Sequence, residues 1–225
     1  MRVDIYSDVV CPWCYIGKRR FEAALAERPD LDVDVRWRPF ELDPNVPHGG
    51  ADHRATLAAK FGGDEKVDAM LDHVARIADT VGLDYRWDRV TVRPNTRLAH
   101  ALVWLAERDG GPTLAADVVE RLFAAVFTEG RDVGHLDVLT AIAADAGIDP
   151  ASAADELRDG PALDAVAAEL ATAHEIGVSA VPCFVFEQRW AVSGAQEPDT
   201  FVDVLDQVAA QLTSDVSGSE VESSS

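Results

Sequence analysis

The sequence predicts an α/β fold interrupted by an all-helical insertion, and three observations predict it. Apolar and polar residues alternate early, in Val3-Asp4-Ile5-Tyr6-Ser7 and Leu31-Asp32-Val33-Asp34-Val35-Arg36-Trp37. Helix-spaced apolar stripes then fill almost everything from Asp52 to Gly177. Strand patterning returns in Cys183-Phe184-Val185-Phe186 and Trp190-Ala191-Val192-Ser193. The simplest arrangement is one discontinuous α/β domain, 1–50 with 165–212, around a helical insertion, 51–164.

The elements follow in order. After the first strand, Asp8-Val9-Val10 makes a turn, and Pro12 to about Ala26 reads as a helix, with Pro12 where a first helical turn tolerates proline. Two strands around that helix form a right-handed β-α-β unit if they lie parallel in one sheet. The Pro/Gly-rich stretch Pro39–Gly50 ends the unit. In the middle block, Met70, Val74, Ile77, Ala78 and Val81 keep helical spacing, as do Leu98, Ala101, Leu102 and Leu105, then Val118, Val119, Leu122, Phe123 and Val126. Gly82, Gly110-Gly111, Gly130, Gly147 and Gly160-Pro161 punctuate them, which predicts a bundle of roughly six helices. Glu187-Gln188-Arg189 is short enough to join the two late strands as a hairpin. Pro198–Leu212 reads as a closing amphipathic helix, and the Ser/Asp/Glu-rich tail, 213–225, is expected to be disordered.

With 225 residues and 48% hydrophobic composition the chain can bury a real core. No run approaches the roughly 18 apolar residues of a membrane span, and no signal-type segment follows Met1, so the expected location is cytoplasmic. Twenty Lys and Arg against forty Asp and Glu leave a formal charge of −20, and only Lys18, Lys60 and Lys66 are lysines. That charge repels phosphate backbones and argues against nucleic acid or an anionic membrane as partner. So acidic a surface suits high salt, where counterions screen self-repulsion; a plain acidic soluble protein is the alternative.

Three cysteines are too few for a disulfide framework, and two of them form Cys11-Pro12-Trp13-Cys14 at the strand-to-helix junction. Residues three apart on an α-helix are roughly 5 Å apart, within the span a disulfide bridges. The spacing puts Cys11 at the helix N-terminus, where unpaired N–H groups and the macrodipole favour an anion. Cys11 is then the attacking thiolate, and Cys14, one turn further in, the resolving thiol. Half of a zinc site is the competing reading, but no second Cys-x-x-Cys follows. Cys183 with one of His48, His53, His73, His100, His135 or His174 would have to complete it; no metal is expected. Pro182, just before a strand, is either an edge feature or a cis proline. A cis form would leave the Val181 backbone free to bind an extended substrate segment next to the disulfide.

The stretches Ser7-Asp8-Val9-Val10-Cys11-Pro12-Trp13-Cys14-Tyr15-Ile16-Gly17, Trp37-Arg38-Pro39-Phe40, Asn95-Thr96-Arg97-Leu98-Ala99-His100, Phe127-Thr128-Glu129-Gly130 and Gly177-Val178-Ser179-Ala180-Val181-Pro182 resemble the DsbA-like FrnE branch of the thioredoxin superfamily. The resemblance runs in order to about Leu212. It implies a thioredoxin-like fold with a helical insertion, Cys11 as nucleophile, Cys14 as resolving cysteine, and Pro182 as a cis proline facing them. Relatives resembling 2-hydroxychromene-2-carboxylate isomerase carry serine where Cys11 stands, so two cysteines favour disulfide chemistry.

Cys183 departs from the pattern, in which an aromatic is common at this position. It reads either as a small buried residue of a central strand or as a third, regulatory thiol that traps Cys11 or Cys14. Trp13 and Tyr15 flank the pair, Trp13 as a contact for clients. His100 is read as structural and Asn95 as a helix N-cap. The expected activity is a protein thiol–disulfide oxidoreductase or isomerase acting on client proteins or small thiols, without a cofactor beyond its own disulfide, although a low-molecular-weight thiol can serve as co-substrate. A thiol-dependent isomerase or transferase and a non-catalytic chaperone are the alternatives.

Overall fold

A computed structural model describes the backbone of residues 1–222 and side chains through Asp215. Strand β1 (Arg2–Ser7), helix α1 (Pro12–Ala26) and strand β2 (Asp34–Pro39) form the β-α-β unit, with β1 and β2 parallel from Arg2 opposite Asp34 to Ser7 opposite Pro39. Strand β2 starts later than its alternation suggests. The Leu31 N–H is spent in a turn on the Arg28 carbonyl at 3.1 Å, and pairing begins only where the Asp34 N–H donates to the Met1 carbonyl at 2.8 Å.

Two antiparallel strands, β5 (Cys183–Phe186) and β6 (Trp190–Ser193), complete a sheet of order β2-β1-β5-β6. Cross-strand partners share a face, so Val3, Ile5, Trp37, Phe184 and Phe186 point to one side. There Phe21 of α1 packs on Phe184, and Phe201 of the last helix, α8 (Pro198–Glu222), packs on both. All of these phenylalanines are fully buried, and each aromatic pair adds about 0.5–1.5 kcal/mol beyond area burial. The opposite side carries Asp4, Tyr6, Arg36, Arg38, Val185 and Cys183.

Between β2 and β5 lie six helices: α2 (His53–Phe61), α3 (Asp64–Thr80), α4 (Arg97–Ala124), α5 (Leu136–Asp145), α6 (Pro150–Asp159) and α7 (Pro161–Glu175). Helix α4 breaks at Gly111 (φ 75°, ψ −170°), restarts at Pro112, and widens into a π-type turn over Ala125–Glu129. The block is not wholly helical. Strands β3 (Ala51–Asp52) and β4 (Val92–Arg93) pair antiparallel, each two residues long and so too short to leave a period in the sequence.

Helix α8 also runs past Leu212, where the sequence reading ended it, to Glu222. Asp215 accepts from Arg189 at 2.7 Å and from Gln211 at 2.8 Å, and these side-chain bonds offset the missing apolar face. The remainder of the expected disordered tail, residues 223–225, lies outside the described residues.

Candidate active site

The turn between β1 and α1 is built around Asp8, which is 1% exposed. Its carbonyl accepts the Cys11 N–H at 2.9 Å, and its carboxylate accepts the Val10 N–H at 3.4 Å and the Leu42 N–H at 2.8 Å. His100 Nε2 lies 3.1 Å from the Phe40 carbonyl and 3.6 Å from Asp8, so this buried histidine ties the loop after β2 to the cysteine turn. That is the structural use expected of it. The Asn95 side chain takes the Arg97 N–H at 3.1 Å and donates to the Val46 carbonyl at 2.7 Å; Thr96 occupies the cap position itself.

Cys11 sits at the N-cap of α1 in extended conformation, with Pro12 in the first turn. The Cys14 N–H donates to the Cys11 carbonyl at 3.0 Å, which draws the two residues together at the helix start. Cys14 is 1% exposed, and its pKa is pushed well above the ordinary thiol value by burial first, then by its hydrogen bond to Cys11 and the charge there; the Ser7 hydroxyl and the Asp8 backbone oppose the shift. Cys11 instead lines an open cleft of about 240 Å³ between the cysteine turn and helices α2 and α3. Trp13, Leu57, Phe61, Trp87 and Val181 form apolar walls.

The Val181–Pro182 bond is cis, and the Cys11 Sγ lies 3.7 Å from the Val181 carbonyl. The β1–β5 ladder begins only at Cys183, so Val181 stands outside it, beside the sulfur. Gly17 makes the approach feasible: a Cβ there would meet Pro182 Cγ at 3.0 Å. Cys183, by contrast, is not brought to the pair. It pairs with Tyr6 on the sheet face opposite Ile5 and Phe184, whereas α1 packs on the latter face, and burial raises its pKa. The zinc set weighed from sequence is not assembled either: among the described residues no three or more His, Cys, Asp or Glu side chains converge to hold a metal ion.

Several contributors have no signal in short motifs. The Tyr85 hydroxyl donates to the Pro12 carbonyl at 2.6 Å, and its ring stacks on Phe127. Glu120 of α4 accepts from the Tyr15 hydroxyl and from Lys18, both at 2.6 Å, and from Arg19, anchoring α1 to the helical block. His53 stacks on Trp87 in the cleft wall, and burial, with Arg93 nearby, pushes its pKa down to about 4.

Residues 2–206 match the sequence profile of the DSBA-like thioredoxin domain family. The chain is 30% identical over 203 residues, 89% of its length and 94% of the relative's, to the uncharacterized protein YwbO of Bacillus subtilis (strain 168). It superposes with a TM-score of 0.86 and 36% identity on the crystal structure of a probable DsbA oxidoreductase from Streptomyces coelicolor, covering 93% of this chain and 90% of that one. At 21% identity it shares its fold (TM-score 0.69, 94% and 100% covered) with the cytosolic disulfide reductase DsbM from Pseudomonas aeruginosa, which has also been solved with GSH.

Proposed function

We propose, for a chain that belongs to the DSBA-like thioredoxin domain family, that it is a thiol–disulfide oxidoreductase in which Cys11 attacks and Cys14 resolves. The observation that carries this reading is the division between the two sulfurs. Cys11, though only 4% exposed, lines the cleft at a helix N-terminus, and Cys14 lies one turn behind it, outside the cleft lining, with its pKa raised chiefly by burial.

The order of steps follows. The Cys11 thiolate attacks one sulfur of a substrate disulfide, the substrate S–S bond breaks, and one thiolate leaves with a pair of electrons. Once Cys11 is in the mixed disulfide, its charge and its acceptor sulfur no longer hold the proton on Cys14. Cys14 then attacks the Cys11 sulfur, and its proton passes through solvent to a departing substrate thiolate. The second substrate thiolate leaves, and the Cys11–Cys14 disulfide holds the oxidising equivalents. Trp13 and the Val181 and Pro182 backbone flank the sulfur and support an incoming chain.

Reduction or isomerisation is the direction that suits a reducing cytoplasm, the setting we propose. Among the described residues no helix is long and apolar enough to cross a membrane. A small thiol such as the one solved with DsbM is a fitting co-substrate.

Insulin reduction tests the reading. Cys11→Ser should fall to the uncatalysed background, and Cys14→Ser should accumulate a mixed disulfide visible by mass spectrometry. Undiminished turnover in Cys11→Ser would overturn it, as would an oxidised protein without a Cys11–Cys14 linkage. Suppression of insulin aggregation that survives the double serine variant, without turnover in the wild type, would make the protein a chaperone instead.

A further inference from the structure

Acids outnumber bases two to one here, and most arginines have an acid partner: Arg20 meets Glu197, Arg28 meets Asp206, Arg97 meets Glu41, and Arg38 meets Asp4, Glu107 and Glu169. Arg93 is the exception that matters. It is 6% exposed, yet among the described residues its guanidinium makes no ion pair and no hydrogen bond. Arginine does not give up its proton in a protein, and a largely buried cation without a partner carries a cost that only the water of the cleft its nitrogens reach offsets.

Its place in the fold gives that cost a use. Arg93 lines the cleft that Cys11 opens into, together with Lys60, which also has no ion pair among the described residues, and with Asp43 as the single acid of that lining. The cleft is thus locally positive in a protein of charge −20. Of its other polar wall residues, Thr56 carries no charge and His53 is held neutral beside Arg93, so neither supplies the missing anion.

We infer that Arg93, supported by Lys60, is a specificity-determining residue that receives the carboxylate of a low-molecular-weight thiol or disulfide while its sulfur meets Cys11. The inference rests on the oxidoreductase reading above and adds a substrate class to it. A cleft of about 240 Å³ with the cation in its wall takes a short acidic molecule, in which carboxylate and sulfur are a few bonds apart. The planar fork of arginine suits a carboxylate bidentately, and the apolar walls strengthen the pair by excluding water. The chemistry is unchanged: reduced enzyme and the disulfide RSSR give the Cys11–Cys14 disulfide and two RSH, a transfer of two electrons.

The test uses three disulfides of like size: 3,3′-dithiodipropionate, its dimethyl ester, and cystamine. Oxidation of the reduced full-length protein is followed by alkylation and mass spectrometry, and each variant is compared with wild type probe by probe, so that intrinsic reactivities cancel. Arg93→Gln should slow the dicarboxylate by about 10- to 100-fold more than the diester, the range for a charged hydrogen bond, and should favour cystamine. Arg93→Lys should recover part of that loss, because charge returns without the fork. On the wild type, the unreactive thioether 3-(methylthio)propionate should compete with the dicarboxylate while its methyl ester does not. Equal slowing of all three probes, or equal competition by acid and ester, would overturn the inference. A wild type active on insulin alone would also overturn it, and one inert toward every probe and toward insulin would instead sink the oxidoreductase reading. The subsite is then read by tryptophan fluorescence with the thioether acid, and no preference over its ester overturns it.

Discussion

Two arginines on different sides of the molecule, Arg38 half-buried and Arg93 buried, have opposite surroundings. Arg38, on the sheet face away from α1, lies 2.9 Å from Asp4, 3.2 Å from Glu169 and 3.5 Å from Glu107, and so joins β1 and β2 to α7 and α4. Arg93, in the cleft before Cys11, has no such partner among the described residues. Arg38, with 16% of its side chain exposed, is the more open to water of the two, so exposure does not explain why it alone is paired. Where arginine holds elements together its charge is met inside the chain; in the cleft that Cys11 lines, it is not.

The largest expected effect breaks this contrast if it fails. Arg38→Met should cost about 2–3 kcal/mol, because Glu169 loses its cation while Asp4 and Glu107 keep only Arg2 and Arg36. Arg93→Met should be neutral or stabilising, because it removes an unpaired buried charge and keeps the apolar stem. Urea denaturation of both variants measures it, and an equal loss in the two would mean that Arg93 is a structural arginine like Arg38.

A second comparison is within the active-site helix. Glu120→Gln weakens the bonds that hold Tyr15, Lys18 and Arg19, and should cost about 2 kcal/mol. Burial alone would raise the Glu120 pKa, but Lys18, Tyr15 and Arg19 outweigh it and hold the value below 4.5. A depressed carboxylate contributes in full above its unfolded pKa and loses that contribution as pH falls through the folded value. The variant should therefore lose least relative to wild type at the acid end of a stability-against-pH series; a constant difference across pH would contradict this.

The smallest effect sharpens the account of the cleft. His53 has its pKa lowered to about 4, so between about 6.5 and 4 the unfolded chain binds a proton that the folded chain does not, and stability falls as pH falls through that window. His53→Gln should flatten that limb by at most about 1.4 kcal/mol per pH unit, the limit for one proton. In Arg93→Met the imidazole, followed by NMR, should titrate at higher pH than in wild type. An unmoved titration would separate the two residues and weaken the picture of a positive cleft.

Helix α1 was legible to the residue, because Pro12 at its start and the apolar stripe through Ala26 are local facts, and the late hairpin was equally plain. The place of Cys11 and Cys14 at the start of α1 was legible because cysteine spacing and helix-start rules act over three or four residues, whereas the residues around Pro182 left its cis form open and only the family resemblance implied it. Strand β2 was displaced because its start depends on Met1, far away in sequence, and β3 and β4 were missed because two residues carry no period. Arg93 lies just before the quoted Asn95 motif, yet nothing in the sequence distinguishes it from the other arginines. Only the tertiary structure does, by burying it without the acid partner that the equally buried Arg20 finds in Glu197.

By itself, then, the amino-acid sequence determined the Cys-x-x-Cys pair at a strand-to-helix junction, the β-α-β start, the succession of helices and the resumption of the sheet, since propensity, periodicity and cysteine spacing are short-range properties. Tertiary structure decided which sulfur faces the cleft, that Cys183 points to the other side of the sheet, and which arginine lacks an acid. Those outcomes depend on which face of a strand is covered and which charges meet across long separations, and neither is written within a few residues of the groups concerned.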